Sequence, residues 1–193
     1  MSGPLLVEVT RAGLVESLHE VDAVVVDTSG RIVEAWGDAS RPVMPRSAIK
    51  PIQALPLLST GAADAFHLTD VELALACASH GGEPAHVDAV AGWLERLGLD
   101  AADLACGAQV PMNASAAAAV AAAGTDATAA YNNCSGKHTG FLTVLRHLGL
   151  ALDGYVDPTH PLQADHITPS IEHTCGVDLA AAHPGVDGCG IPV

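Results

Sequence analysis

Apolar positions open the chain with a two-residue period and then settle into helical spacing. Residues 5–9 and 14–18 predict two strands. Residues 22–27, with Ala23-Val24-Val25-Val26 at their centre, predict a buried strand. Thr28-Ser29-Gly30 supplies a turn and residues 32–36 the hairpin partner, so an antiparallel meander is expected to open the fold. From about Arg46 the spacing of Ile49, Ile52, Leu55 and Leu58 predicts a helix, with Ala54 and Leu57 widening its stripe towards burial all round. Pro51 suits the first turn of that helix, and Pro56 should kink its end. Thr69 or Asp70 caps a short helix over 71–78, and Pro84 starts another that reaches Leu97. The Ala-rich stretch 99–124 is less legible, with a helix expected over 116–123. Further helices are expected over 141–150 and from Pro161 to about Cys175. The end of the chain is a Gly-rich turn around Asp187-Gly188-Cys189-Gly190.

Between these periodic segments the polar residues gather into dense clusters. Arg46-Ser47-Ala48-Ile49-Lys50-Pro51 contains Ser-x-x-Lys, which on one helical turn places Ser47 Oγ and Lys50 Nζ on the same face. A serine hydroxyl needs a base to act as a nucleophile, and a lysine amine is a base only where desolvation or a neighbouring cation favours its neutral form. Arg46 is a candidate for that cation. The chain holds two lysines, Lys50 and Lys137, against six arginines. A surface role could use arginine, whereas a proton-accepting amine could not. A second cluster is Cys77-Ala78-Ser79-His80-Gly81-Gly82, and a third is Asn132-Asn133-Cys134-Ser135-Gly136-Lys137-His138 at the start of a helix.

Composition narrows the function. A formal charge of −14 over 193 residues argues against nucleic acid or an anionic membrane as partner. No apolar run is long enough to span a bilayer and Met1 opens no basic-then-apolar leader, so a cytoplasmic protein is expected. Five scattered cysteines do not make a disulfide framework.

Taken together, residues 46–56 (Arg-Ser-Ala-Ile-Lys-Pro-Ile-Gln-Ala-Leu-Pro), Cys-Ala-Ser-His-Gly-Gly, Asn-Asn-Cys-Ser-Gly-Lys-His and Asp-Gly-Cys-Gly resemble the serine-dependent, zinc-binding L-asparaginase II family. The resemblance implies an α/β (α+β) fold like that of the serine β-lactamases and glutaminases, an antiparallel sheet packed by helices. It also implies hydrolysis of L-asparagine to L-aspartate and ammonia. By motif, Ser47 is the nucleophile, Lys50 its base and Ser79 the second serine. Cys134, Lys137 and Cys189 match the family's zinc ligands, and Asp187 a site carboxylate. Family members continue past Asp-Gly-Cys-Gly and there supply a second lysine for the second serine. The 193 residues are therefore expected to be a single, incomplete domain, homodimeric when full length.

In chemical terms Arg46 could pair with a substrate α-carboxylate, Asp187 could take the α-ammonium and His80 could border the substrate. The Gly81-Gly82 loop and the N–H groups near Ser47 are candidates for an oxyanion hole. Chemistry alone would choose His138 as the third zinc ligand, whereas the family pattern chooses Lys137. Cys77, Cys106 and Cys175 are expected in the core. Alternatives are a glutaminase, a β-lactamase-like acyltransferase (for which no Lys-Thr-Gly exists here), a non-catalytic zinc- or asparagine-binding fragment, and a Cys134/His138 thiol amidase.

Overall fold

The computed structural model describes residues 2–180 and 185–192. It is a mixed α and β structure that falls into two compact units, 1–43 and 44–193.

The first unit holds two antiparallel hairpins. β1 (Leu5–Arg11) pairs with β2 (Leu14–Val21) through a two-residue turn, Ala12-Gly13, in which both residues have positive φ (50° and 81°). That geometry matches the right-handed twist of the strands. β3 (Ala23–Val26) pairs with β4 (Ile32–Trp36), and Asp27 organises their turn by accepting from Ser29 and from the Arg31 N–H. Two expectations are corrected here. Among the described residues the strands form two separate two-stranded sheets, not one meander. The strand expected to be buried is exposed, with Val26 at 54%. An unbroken run of valines is apolar on both faces, and within this unit two short ribbons have no layer to cover either face.

In the second unit the core is helical. A 3₁₀ turn (Arg46–Ile49) leads into α1 (Lys50–Gln53), and α2 (Leu55–Ser59) follows after a break at Ala54. Pro56 cannot donate to the Ile52 carbonyl, so the single expected helix divides there. Its buried face is Ile49, Lys50, Gln53, Pro56 and Leu57, while Leu55 and Leu58 of the expected stripe are exposed. α3 (Ala62–Ala65) is one turn. α4 (Asp70–Cys77) begins in a capping box in which Thr69 and Glu72 satisfy each other's backbone N–H groups. α5 (Pro84–Arg96) buries Val90, Trp93 and Leu94. α6 (Ala114–Ala123) is capped by Asn113 and closed by Gly124.

α7 (Ser135–Leu148) starts six residues earlier than its apolar pattern suggests, and every residue from Ser135 to Leu145 is buried. Thr139 and Thr143 satisfy their hydroxyls on the carbonyls four residues back, which lets polar side chains sit inside. A π-helical segment (Leu162–Ile167) runs into α8 (Thr168–Cys175). Pro169 cannot donate to the Asp165 carbonyl, so the preceding turns widen.

The approach of α4 to α7 sets up the site. A Cβ at Gly136 would lie 2.5 Å from the Leu75 carbonyl oxygen, so only glycine permits this separation. The end of α4, followed by Ser79, is thereby brought against the start of α7, preceded by Cys134.

Candidate active site

Arg46 sits in the left-handed region at φ 48°, an uncommon conformation for a residue with a side chain, and turns the chain into the 3₁₀ segment. Ser47 follows at the surface, and Lys50 lies on the inner face, 1% exposed. Its Nζ donates to the Ala78 carbonyl (3.0 Å) and to Ser79 Oγ (2.6 Å), and Ser79 Oγ donates to Ser47 Oγ (3.3 Å). The amine therefore reaches Ser47 through a second hydroxyl. The extended backbone at Ala78, where α4 ends, holds Ser79 in place.

His80 points the other way. It is buried, Gly82 N–H donates to its Nδ1 (3.2 Å), and its Nε2 lies 2.8 Å from Ser135 Oγ. Both ring nitrogens are thus engaged within the protein, and the ring does not line the cavity described below. Burial, then the neighbouring His86 and Lys50, lower its pKa to about 4, so the ring is neutral. The Gly82 N–H, given to His80, is not free as an oxyanion donor. The Ala48 N–H is likewise taken, by the Pro45 carbonyl, whereas the Ser47 N–H meets no backbone acceptor among the described residues.

A cavity of about 600 Å³ opens in front of Ser47. Arg46, Ser47, Gln109, Asn133, Cys134 and Asp187 are on its wall together with Cys189, while Ser79, Lys50 and Lys137 stand behind it. Lys137, 2% exposed, donates to Asp187 Oδ2 (2.9 Å) and to Cys189 Sγ (3.0 Å). Burial alone would lower its pKa, but the hydrogen bonds and charges of Cys189 and Asp187 prevail and raise it. Burial would raise the Asp187 carboxyl, yet hydrogen bonds from Cys189, Lys137 and the Ile191 N–H hold it well below the carboxylate range. Cys134 is lowered to about 6 by its neighbour Cys189, and by Lys137 and Lys50, against burial. Cys189, whose S–H donates to the Asp187 carboxylate (3.0 Å), is raised by its neighbour Cys134 and then by burial.

Among the described residues no three His, Cys, Asp or Glu side chains are arranged to hold a metal ion. A soft cation here would take the two thiols and the Lys137 amine: Lys137 Nζ lies 3.0 Å from Cys189 Sγ, and Cys134 and Cys189 share the cavity wall. Such binding would displace a proton from Lys137. His138 is not part of this set. Its Nδ1 is 2.8 Å from Tyr155 Oη and its Nε2 is buried without a partner, and burial, then Lys137, lower its pKa to about 3.

Three residues on the wall escaped the sequence reading as site residues. Asn132 grips the Cys106 and Gly107 carbonyls and accepts the Cys134 N–H, which fixes the loop before α7. Gln109 accepts the Asn133 N–H, leaving its amide nitrogen near the cavity. The Asn-Asn pair stood in a cluster already singled out, but Gln109 lies in the Ala-rich stretch where no pattern marks it. Of the cysteines expected in the core, Cys106 is buried and pushed up to about 12, mainly by burial. Cys77 is half-buried and Cys175 exposed.

No helix of the described residues is long and apolar enough to cross a membrane. Comparison with curated proteins finds no match. The family model described as L-asparaginase II matches residues 7–193, which takes in all four polar clusters, and the chain therefore belongs to the L-asparaginase II family.

Proposed function

We propose that the chain hydrolyses the side-chain amide of L-asparagine through a serine nucleophile, in the serine β-lactamase/glutaminase-like setting that the resemblance implies. The observation that carries this reading is the series Ser47–Ser79–Lys50, which leads from a cavity wall to a buried amine. With Lys50 neutral, its lone pair accepts the Ser79 proton as Ser79 accepts that of Ser47. Both hydrogen bonds, Nζ to Ser79 (2.6 Å) and Ser79 to Ser47 (3.3 Å), reverse direction in this step. Ser47 Oγ attacks the amide carbon, and the Ser47 N–H supplies one donor to the oxygen that becomes anionic. The proton returns along the same hydroxyl to the departing nitrogen, ammonia leaves, and water, deprotonated by the same series, releases aspartate.

Arg46 faces the α-carboxylate and Asp187 the α-ammonium across the cavity. His80 is left out of the substrate contacts because its nitrogens are occupied. Cys134, Cys189 and Lys137 would hold zinc. When bound, zinc supplies a fixed positive charge beside Asp187.

The test is ammonia release by the purified chain from asparagine and, in parallel, glutamine. Ser47→Ala is expected to lower turnover by about 10⁴-fold. Wild-type rates in that variant would remove the serine mechanism. One observation favours a second reading: Cys134, a thiolate above about pH 6, is also on the wall. A thiol amidase would keep its turnover in Ser47→Ala and lose it in Cys134→Ser.

A further inference from the structure

The loop that carries Ser79 is tied on either side of His80: the Ala78 carbonyl accepts from Lys50 Nζ (3.0 Å) and the Gly81 carbonyl from the Asn113 N–H (2.8 Å). α4 ends at Cys77, Ala78 and Ser79 are exposed, and α5 does not begin until Pro84. His80 adds the tie to the segment before α7. The His80 N–H donates to the Asn133 carbonyl (3.2 Å), so the loop is pinned to the segment that also carries Cys134. Its ring completes a chain in which each proton is used once. Gly82 N–H donates to Nδ1, which leaves the ring proton on Nε2. Nε2–H donates to Ser135 Oγ, and the Ser135 hydroxyl donates to the Ala130 carbonyl (3.0 Å). Only the neutral ring with its proton on Nε2 satisfies this chain. The imidazolium has no lone pair for Gly82, and the other tautomer would face that N–H with a proton. His86, stacked at 5.1 Å between ring centroids, covers the ring.

We propose that His80 is a positioning residue: it registers the Ser79 loop against the loop before α7, and so sets the distance from Ser79 to Ser47 and Lys50. The inference rests on the serine-hydrolase reading for its effect on rate, but its structural half stands alone. A link between Ser79 and Lys50 of 2.6 Å and one between Ser79 and Ser47 of 3.3 Å leave little room for displacement. A 1 Å error in a reacting group costs on the order of 100-fold.

The experiment compares His80→Phe and His80→Gln in the full chain by steady-state ammonia release and by hydrogen exchange read peptide by peptide. His80→Phe removes both ring bonds and should lower kcat about 100-fold with KM within about threefold, since no substrate contact is lost. His80→Gln can still donate to Ser135 and should recover about tenfold of that loss. In His80→Phe, exchange should quicken at residues 78–83 and 130–136 while α5 keeps its protection. Wild-type kcat together with wild-type loop exchange in His80→Phe overturns the proposal. So does a rise in exchange that spreads equally through α5, because the residue would then be only a part of the core. Should the wild-type chain release no ammonia, the hydrolase reading falls, and the exchange pattern alone decides whether His80 holds the loop.

Discussion

The two lysines are buried to the same degree and meet opposite surroundings. Lys50 donates to a carbonyl and a hydroxyl, both neutral, whereas Lys137 donates to a carboxylate and a thiol. All six arginines lie at the surface. The Lys50 bonds lead through Ser79 to the cavity wall, whereas the Lys137 bonds end on a carboxylate. A buried amine paired with a carboxylate is held as ammonium and serves as an electrostatic brace. The contrast sets a hydroxyl series against an ion pair about one cavity, and only the first is asked to move a proton in the proposed reaction.

The largest expected effect tests the first region. Lys50→Met should lower kcat for asparagine by about 10³-fold, because the proton acceptor behind Ser79 is gone. Its urea midpoint should fall less than that of Lys137→Met, since Lys50 donates to a carbonyl and a hydroxyl and no carboxylate is left without its cation. A strongly destabilised Lys50→Met would erase the contrast. Next, Lys137→Met leaves the Asp187 carboxylate without its cation and should cost about 2–3 kcal/mol, read by urea unfolding of metal-free protein. Adding Asp187→Asn should restore part of the loss. Additive single-site costs would show that the two groups do not act as a pair.

The smallest effect is a pH dependence at Cys134. Its pKa is lowered from 9.0 to about 6, so the fold favours the thiolate. That stability is complete above pH 9 and is lost as the pH falls through 6. Alkylation of metal-free protein should titrate Cys134 near pH 6, while Cys106, pushed up to about 12, stays unreactive. Lys137→Met and Lys50→Met should each raise the Cys134 midpoint, since both lysines lower it.

Local chemistry was legible wherever one residue decides the outcome. Thr69 with Glu72 begins α4, Pro84 begins α5, and the valine-rich hairpin 22–36 forms as its pattern demands. Four polar clusters were visible as clusters. What periodicity misassigned was orientation. It counts apolar side chains as inward, so it placed Leu55 and Leu58 inside and could not see that Lys50 and Gln53 occupy the buried face. It also read a helix start at Phe141, because Ser135 to Gly140 are polar or small, although their burial is complete. The direction of His80 depends on Ser135, 55 residues away, and no local pattern contains that distance. The wide turn before Pro169 follows from a missing donor, which composition marks but spacing does not.

The clash that a methyl group would meet at Gly136 bears on transplanting this chemistry. Ser79 rides on the end of one helix and Cys134 on the start of another, so the gap between two backbones is itself a component of the candidate site. A graft that copied every side chain onto a scaffold with ordinary helix spacing would carry the parts without their registration.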